Sequence, residues 1–181
     1  MKEVDVIGLI DKYYADNEPL RRILVVHSTS VAEMTVAVSR KHPELGADEA
    51  FLREAAMLHD IGIYLCDAPG ICCHGTEPYI CHGILGAHLL REEGLPRHAR
   101  VAERHTGTGI TVEAIRRQQL PLPLRDYSPE TIEEQIVCYA DKFFSKTRPE
   151  QVKTPEQVLK SLEKFGQESV ERMRNWMALL G

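Results

Sequence analysis

Six residues of this 181-residue chain have types and spacing that could build one chemical centre: His27, His59, Asp60, His82, His105 and Asp141. Each lies on the apolar side of a helix-period segment or at a helix end. A helix that turns such a group inward must satisfy it, and one shared cation satisfies several together. His59-Asp60 is the sharpest element. Neighbouring residues on a helix differ by about 100°, so both reach one centre only near a helix end. Ile61-Gly62 supplies that end, because glycine is the preferred C-terminal stop. Imidazole nitrogen with carboxylate oxygen suits Mn, Fe, Zn or Mg rather than copper(I). A carboxylate can also bridge two ions, so Asp60 can join two sites. Composition agrees, since the eight histidines outnumber Phe and Trp taken together.

The elements that must position these groups all read as helices. Val4, Ile7, Ile10 and Tyr14 predict a helix over 3–15. Pro19 suits a first helical position, and Leu20, Leu24, His27, Val31, Met34 and Val38 share one face as far as His42-Pro43. Asp48 to His59 forms a third helix. The loop CDAPGICCHGTEP follows Gly62 and is marked by Pro69-Gly70. Pro78 opens a fourth helix that stops at Gly94, and Pro96 a fifth that ends near His105, before a flexible TGTG. QQLPLPLRDYSP is a Pro-rich connection, and Ser128-Pro129 caps a helix running through Asp141 to Ser145. Thr154-Pro155-Glu156-Gln157 makes a capping box. It opens one long amphipathic helix with Val158, Leu162, Phe165, Met173, Trp176 and Leu180, read as core or as a homodimer surface. No run alternates as a strand does. The fold class is all-α.

Composition excludes several functions. With 22 basic against 27 acidic residues the net charge is −5, and no Lys/Arg stripe offers itself to a nucleic-acid polymer. Apolar residues at 43% and charged residues at 27% describe a soluble globule, expected as a single domain over 1–181. Glu3, Asp5 and Asp11 interrupt any signal-peptide core, and no stretch reaches the length of a membrane span, so a cytoplasmic protein without a membrane partner is expected. Five cysteines, an odd number, argue against a disulfide framework. Cys66, Cys72, Cys73, His74 and Cys81 contain no CxxC pair, so a separate structural zinc site is not expected.

The order His27 … His59-Asp60 … His82 … His105 … Asp141 resembles the HD-domain (HDIG) metal-dependent phosphohydrolase superfamily. AAMLHDIGIY is similar to its signature, and ICHGILGAHLL, AERHTGTGI and CYADKF resemble the second-metal histidines and closing aspartate of its binuclear branch. The likeness covers about residues 20–146 and leaves 147–181 as a C-terminal helical extension. It implies a compact helical HD-domain bundle with a long C-terminal helix. It also implies that His27, His59, Asp60 and Asp141 hold one divalent ion, with Asp60 bridging to a second on His82 and His105. Fe, Mn, Mg, Zn, Co and Ni are all compatible. His59 and Asp60 would be the catalytic pair. A metal-bridged hydroxide would attack phosphorus in a small phosphorylated metabolite, of the nucleotide or dinucleotide class.

One departure from the family bears on substrate. Many members carry a basic residue soon after HDIG, and here Ile63-Tyr64 stand there. Arg104, Lys142, Lys146 and Arg148 are substitute cations, and Thr106 and Thr108 with Gly107 and Gly109 offer hydroxyl and N–H donors. The departure leaves open a di-iron oxygenase using the same ligand pattern, and a non-catalytic metal- or nucleotide-sensing module. His74 either reaches the mouth of the site or is simply exposed. His88 reads as structural or exposed, and His42 and His98 as exposed helix-end residues.

Overall fold

The computed structural model describes residues 4–181. Among the described residues the apolar periodicity becomes nine α-helices: α1 (Val6–Tyr14), α2 (Glu18–Lys41), α3 (Glu49–Leu58), α4 (His82–Glu92), α5 (Pro96–Arg104), α6 (Val112–Gln118), α7 (Ile132–Asp141), α8 (Pro155–Leu162) and α9 (Gln167–Leu180). Residue 3 of the first expected helix lies outside the described residues. Asp5, Asn17, Asp48, Thr111, Thr131 and Thr154 each cap a helix, their side-chain oxygens accepting the backbone N–H three residues on. These bonds satisfy donors that a first helical turn leaves free.

The long helix α2 packs against α1, α3 and α7, while α4 lies along α5 and the α8–α9 pair returns to α7. Val31, Leu52, Ile136, Met173 and Trp176 build one core. Ile10, Leu24, Leu58, Ile61 and Leu90 build a second, and Ile110, Ile115 and Tyr127 a small third. Trp176 is buried within this chain's own core. No described helix is long and apolar enough to cross a membrane.

The departures from sequence expectation have local causes. The loop after Gly62 holds a two-stranded antiparallel pair, β1 (Asp67–Ala68) and β2 (Cys73–His74), in the register Asp67↔His74. Two-residue strands are too short to show alternation. Helix α4 begins at His82, after a 3₁₀ turn over Tyr79–Cys81, not at Pro78. Helix α6 fills the stretch between TGTG and the Pro-rich connection, to which the periodicity assigns no element, and it forms because Thr111 caps a seven-residue stretch rich in polar residues. Helix α7 starts from a Thr131/Glu134 capping box, not from Ser128-Pro129, and ends at Asp141. The expected single terminal helix is two, broken by a 3₁₀ turn over Glu163–Phe165 and by Gly166 at φ +101°. That positive φ is glycine territory and ends the helix. TGTG is packed in place, with Thr108 buried and its Oγ1 2.9 Å from Ser169 Oγ.

Two buried details generate tests. Gly62 has φ −82°, so it is not a left-handed helix stop. A Cβ there would collide with the His82 carbonyl oxygen and the Gly86 amide nitrogen, because the turn after Asp60 packs backbone to backbone on α4. Gly62→Ala is expected to cost about 1–3 kcal/mol or more in urea unfolding of the metal-free protein. Gly70→Ala, whose Cβ would meet nothing within 4 Å, serves as the near-neutral control.

His98 is buried rather than exposed, with Nε2 3.0 Å from Glu54 Oε2. Burial outweighs Glu54 and pushes its pKa below the ordinary 6.5. The unfolded chain then takes up a proton that the folded chain refuses, so this contribution to stability is lost as pH falls below about 6.5. Between pH 7 and 5.5, His98→Gln should lose less unfolding free energy than wild type.

Candidate metal centre

Five of the six ligand-type residues sit at helix ends: His59 and Asp60 just beyond α3, His82 at the start of α4, His105 just beyond α5, and Asp141 closing α7. Only His27 projects from mid-helix, on α2. All six are buried, His59 and Asp60 completely. Three imidazoles are held in one way. The Nδ1 atoms of His59, His82 and His105 lie 2.6, 2.6 and 2.7 Å from the carbonyl oxygens of Ala56, Tyr79 and Ala102, each three residues back. Donating Nδ1–H to a carbonyl fixes the tautomer and, in a neutral ring, leaves the Nε2 lone pair free for a cation.

Those nitrogens converge on Asp60. Its Oδ2 lies 3.0 Å from His59 Nε2 and 3.2 Å from His27 Nε2. Its Oδ1 lies 3.3 Å from His105 Nε2 and 3.4 Å from His82 Nε2. Asp141 Oδ1 completes the first group, 2.9 Å from His27 Nε2 and 3.4 Å from His59 Nε2. Two ligand sets result, His27–His59–Asp60–Asp141 and Asp60–His82–His105, each with its donor atoms within 4.8 Å of one another. Asp60 belongs to both.

The donors fit a cation. His59 Nε2 and Asp60 Oδ1 are buried without a hydrogen-bond partner. His82 Nε2 and His105 Nε2 lie 3.0 Å apart, and with both Nδ1 atoms donating, two lone pairs face each other. Such an arrangement is costly unless something positive stands between the groups. Nitrogen and carboxylate oxygen together suit borderline-hard divalent ions.

The electrostatics differ between the two ligand sets. Burial opposes charge on Asp60, but His59 and Lys146 hold its carboxyl well below the usual range. Asp141 behaves likewise, with Lys142 and His27 outweighing burial. Burial opposes the His59 imidazolium, yet Asp60 and Asp141 raise its pKa to about 9. Burial, then His105, pushes His82 down to about 3, and burial lowers His105 as well. At neutral pH the second set therefore offers unprotonated nitrogens.

The centre opens into a cavity of about 190 Å³. Tyr79, His82, His105 and Asp141 line it, together with Thr106, Gly107, Phe165 and the lysines 142, 146, 153 and 164. Lys146 Nζ comes within 2.6 Å of Asp60 Oδ2, and Lys142 pairs with Asp141. Thr106 and Lys142, expected near substrate, both line the cavity. Arg104 does not: its guanidinium turns to the Ser128 carbonyl and to Glu130, away from the cavity. His74 is exposed on β2 and lines no part of the cavity. The Thr108 hydroxyl is engaged with Ser169. Tyr79, Lys153, Ser161, Lys164 and Phe165 were not legible as site residues. Four of the five lie in the C-terminal extension, and the readable signal was Phe165-Gly166 as a helix stop.

Such a bundle, its buried histidines and aspartates gathered from helix ends, is a scaffold for divalent metal. The chain belongs to the HD domain family, whose profile matches residues 24–145. It is 37% identical over 145 residues to an uncharacterized protein of Methanocaldococcus jannaschii, covering 78% of this chain and 76% of that one. It is 36% identical over 145 residues to a tRNA (cytidine(56)-2'-O)-methyltransferase of Thermoplasma volcanium, covering 79% of this chain. The match spans only 36% of that methyltransferase, and 40% of its counterpart from Picrophilus torridus. In fold the chain is similar to the HD domain of the L. monocytogenes phosphodiesterase PgpH, with TM-score 0.57, 18% identity, and coverage of 92% of this chain and 93% of that one. The same domain solved with cyclic-di-AMP gives TM-score 0.56 at 19% identity, with coverage of 93% and 92%.

Asp60→Asn should weaken divalent-ion binding by more than about 100-fold, since it alters a ligand shared by both sets and ligand-shell changes of lesser kind already cost 10–100-fold. Metal content per chain after desalting checks this. His88→Ala, on an exposed position of α4, should retain the wild-type content.

Proposed function

We propose that this chain is a metal-dependent phosphohydrolase acting on a small phosphorylated metabolite, of the nucleotide or dinucleotide class. One observation carries the reading: two cation-ligand sets sharing a buried carboxylate reach, through His82, His105 and Asp141, a cavity that four lysines also line. Cation ligands below and ammonium groups beside them suit an anionic phosphoryl group between the two. The PgpH phosphodiesterase likeness supports the same reading.

Bound cations would lower the pKa of coordinated water towards about 7 and offset charge building on phosphoryl oxygens. Asp60 faces His27 and His59 with one oxygen and His82 and His105 with the other, so it sets the spacing of the two sets. The Nδ1–H bonds to the chain hold the imidazoles of His59, His82 and His105 in place. Lys142 and Lys146 present ammonium groups to the phosphoryl oxygens, and Thr106 presents a hydroxyl. Lys146 also answers the missing basic residue after HDIG. Ile63 at that point is wholly buried in the core, while Lys146 brings a cation to Asp60 from the segment after α7. The methyltransferase name belongs to proteins of which the match covers well under half, and the groups gathered here favour phosphoryl chemistry instead.

Purified protein loaded with Mn, Fe, Mg or Co should turn over at least one member of a panel of phosphomonoesters, cyclic nucleotides and dinucleotides. Asp60→Asn should reduce that rate at least about a hundredfold, because several kcal/mol of charge stabilisation leaves with the cation. Two irons per chain with oxygen uptake, and inertness to every phosphoester, would overturn the proposal in favour of an oxygenase. Tight metal binding with no turnover would favour a sensing module.

A further inference from the structure

The four cavity lysines are not equivalent. Lys142 and Lys146 are answered by Asp141 and Asp60. Lys153 and Lys164 line the same cavity, yet among the described residues neither has a carboxylate in ion-pair range. Lys153 is only partly exposed, and Lys164 stands in the 3₁₀ turn between α8 and α9. Burial pushes the Lys153 pKa down, and the like charges of Lys142, Lys164 and Lys146 add to this against Asp141. An ammonium group held partly out of water among other ammonium groups is unfavourable until an anion joins it.

Both lysines are placed by the fold rather than left to wander. The Lys153 backbone N–H donates to the Phe143 carbonyl at 2.8 Å, tying the strap after α7 to that helix's end. Lys164 lies over the Phe165 ring, 5.1 Å from its centroid. That ring rests on Gly107, where an added Cβ would come within 3.2 Å of it. Gln118 Nε2 donates to the Phe165 carbonyl at 3.4 Å, fixing the turn from α6. Lys153, Lys164 and Phe165 all lie beyond residue 145, where the family profile ends.

We infer that Lys153 and Lys164 bind a second anionic group, so that the site takes a diphosphate-bearing ligand in preference to a single phosphoryl group. The first phosphoryl group would sit against His82, His105 and Asp141 beside Lys142 and Lys146, and its neighbour would reach the unanswered pair. The assignment of the first group rests on the phosphohydrolase reading; the charge argument for the second does not.

Calorimetric titration of the divalent-loaded protein with orthophosphate and with methylenediphosphonate, which cannot be hydrolysed at its P–C–P bridge, tests this. Methylenediphosphonate should bind at least about tenfold more tightly, the worth of one charge-assisted contact. In Lys153→Gln/Lys164→Gln the ratio should fall below about threefold. Lys164→Gln alone, at an exposed position, should give an intermediate ratio and guards against misfolding of the double variant. Lys160→Gln, which removes the same charge from an exposed position of α8 outside the cavity, should keep the wild-type ratio. An equal affinity of wild type for the two probes, or a ratio unmoved in the double variant, would overturn the inference. Preference for the diphosphonate without turnover of any phosphoester would sink the hydrolase reading and leave the two-anion site standing. Turnover without the preference would do the reverse.

Discussion

The structure is organised around the burial of one carboxylate. Asp60 is fully removed from water, and four imidazole nitrogens approach its two oxygens within 3.0–3.4 Å. An isolated carboxylate in that position would cost several kcal/mol. The surrounding elements are arranged so that it is never isolated: Lys146 approaches from beyond α7, and the two ligand sets lie to either side. The backbone contact at Gly62 follows from the same demand. It brings α4, and hence His82, against the turn that carries Asp60.

Helix ends do much of this work. His59, His105 and Asp141 occupy the C-terminal ends of α3, α5 and α7, where the helix dipole is negative and favours a cation. His59 and His105 also donate to carbonyls of the last turn, so two buried carbonyls that the helix end leaves free are satisfied by the very side chains that serve the site. One placement therefore closes a helix, orients a ring and adds negative potential around the centre.

The ligands were legible because each carries its own local mark: a polar residue on an apolar face, or a histidine beside a helix stop. The caps at Asp48 and Thr154 were legible for similar reasons. What could not be read depended on distant partners. His98 is buried because Glu54, 44 residues away in the chain, receives it. Arg104 adjoins His105 in sequence, but the turn of the helix sends it to Glu130 instead. The cavity wall was hidden for a topological reason. Lys164 and Phe165 look like members of one long amphipathic helix until Gly166 breaks it and the turn rests on Gly107. A helical period describes a face; it does not say which neighbour that face will meet.

The carbonyl anchors of the three histidines bear on the order of events in the life of the protein. His59, His82 and His105 are each oriented by their own preceding turn, not by the ion they would share. The chain itself therefore aims these three rings. Ions could be exchanged for others of similar size, as supply in the surroundings changes, without the helices having to separate and find one another again. A small domain whose ligands are scattered on loops has no such freedom, because there the ion is also the staple.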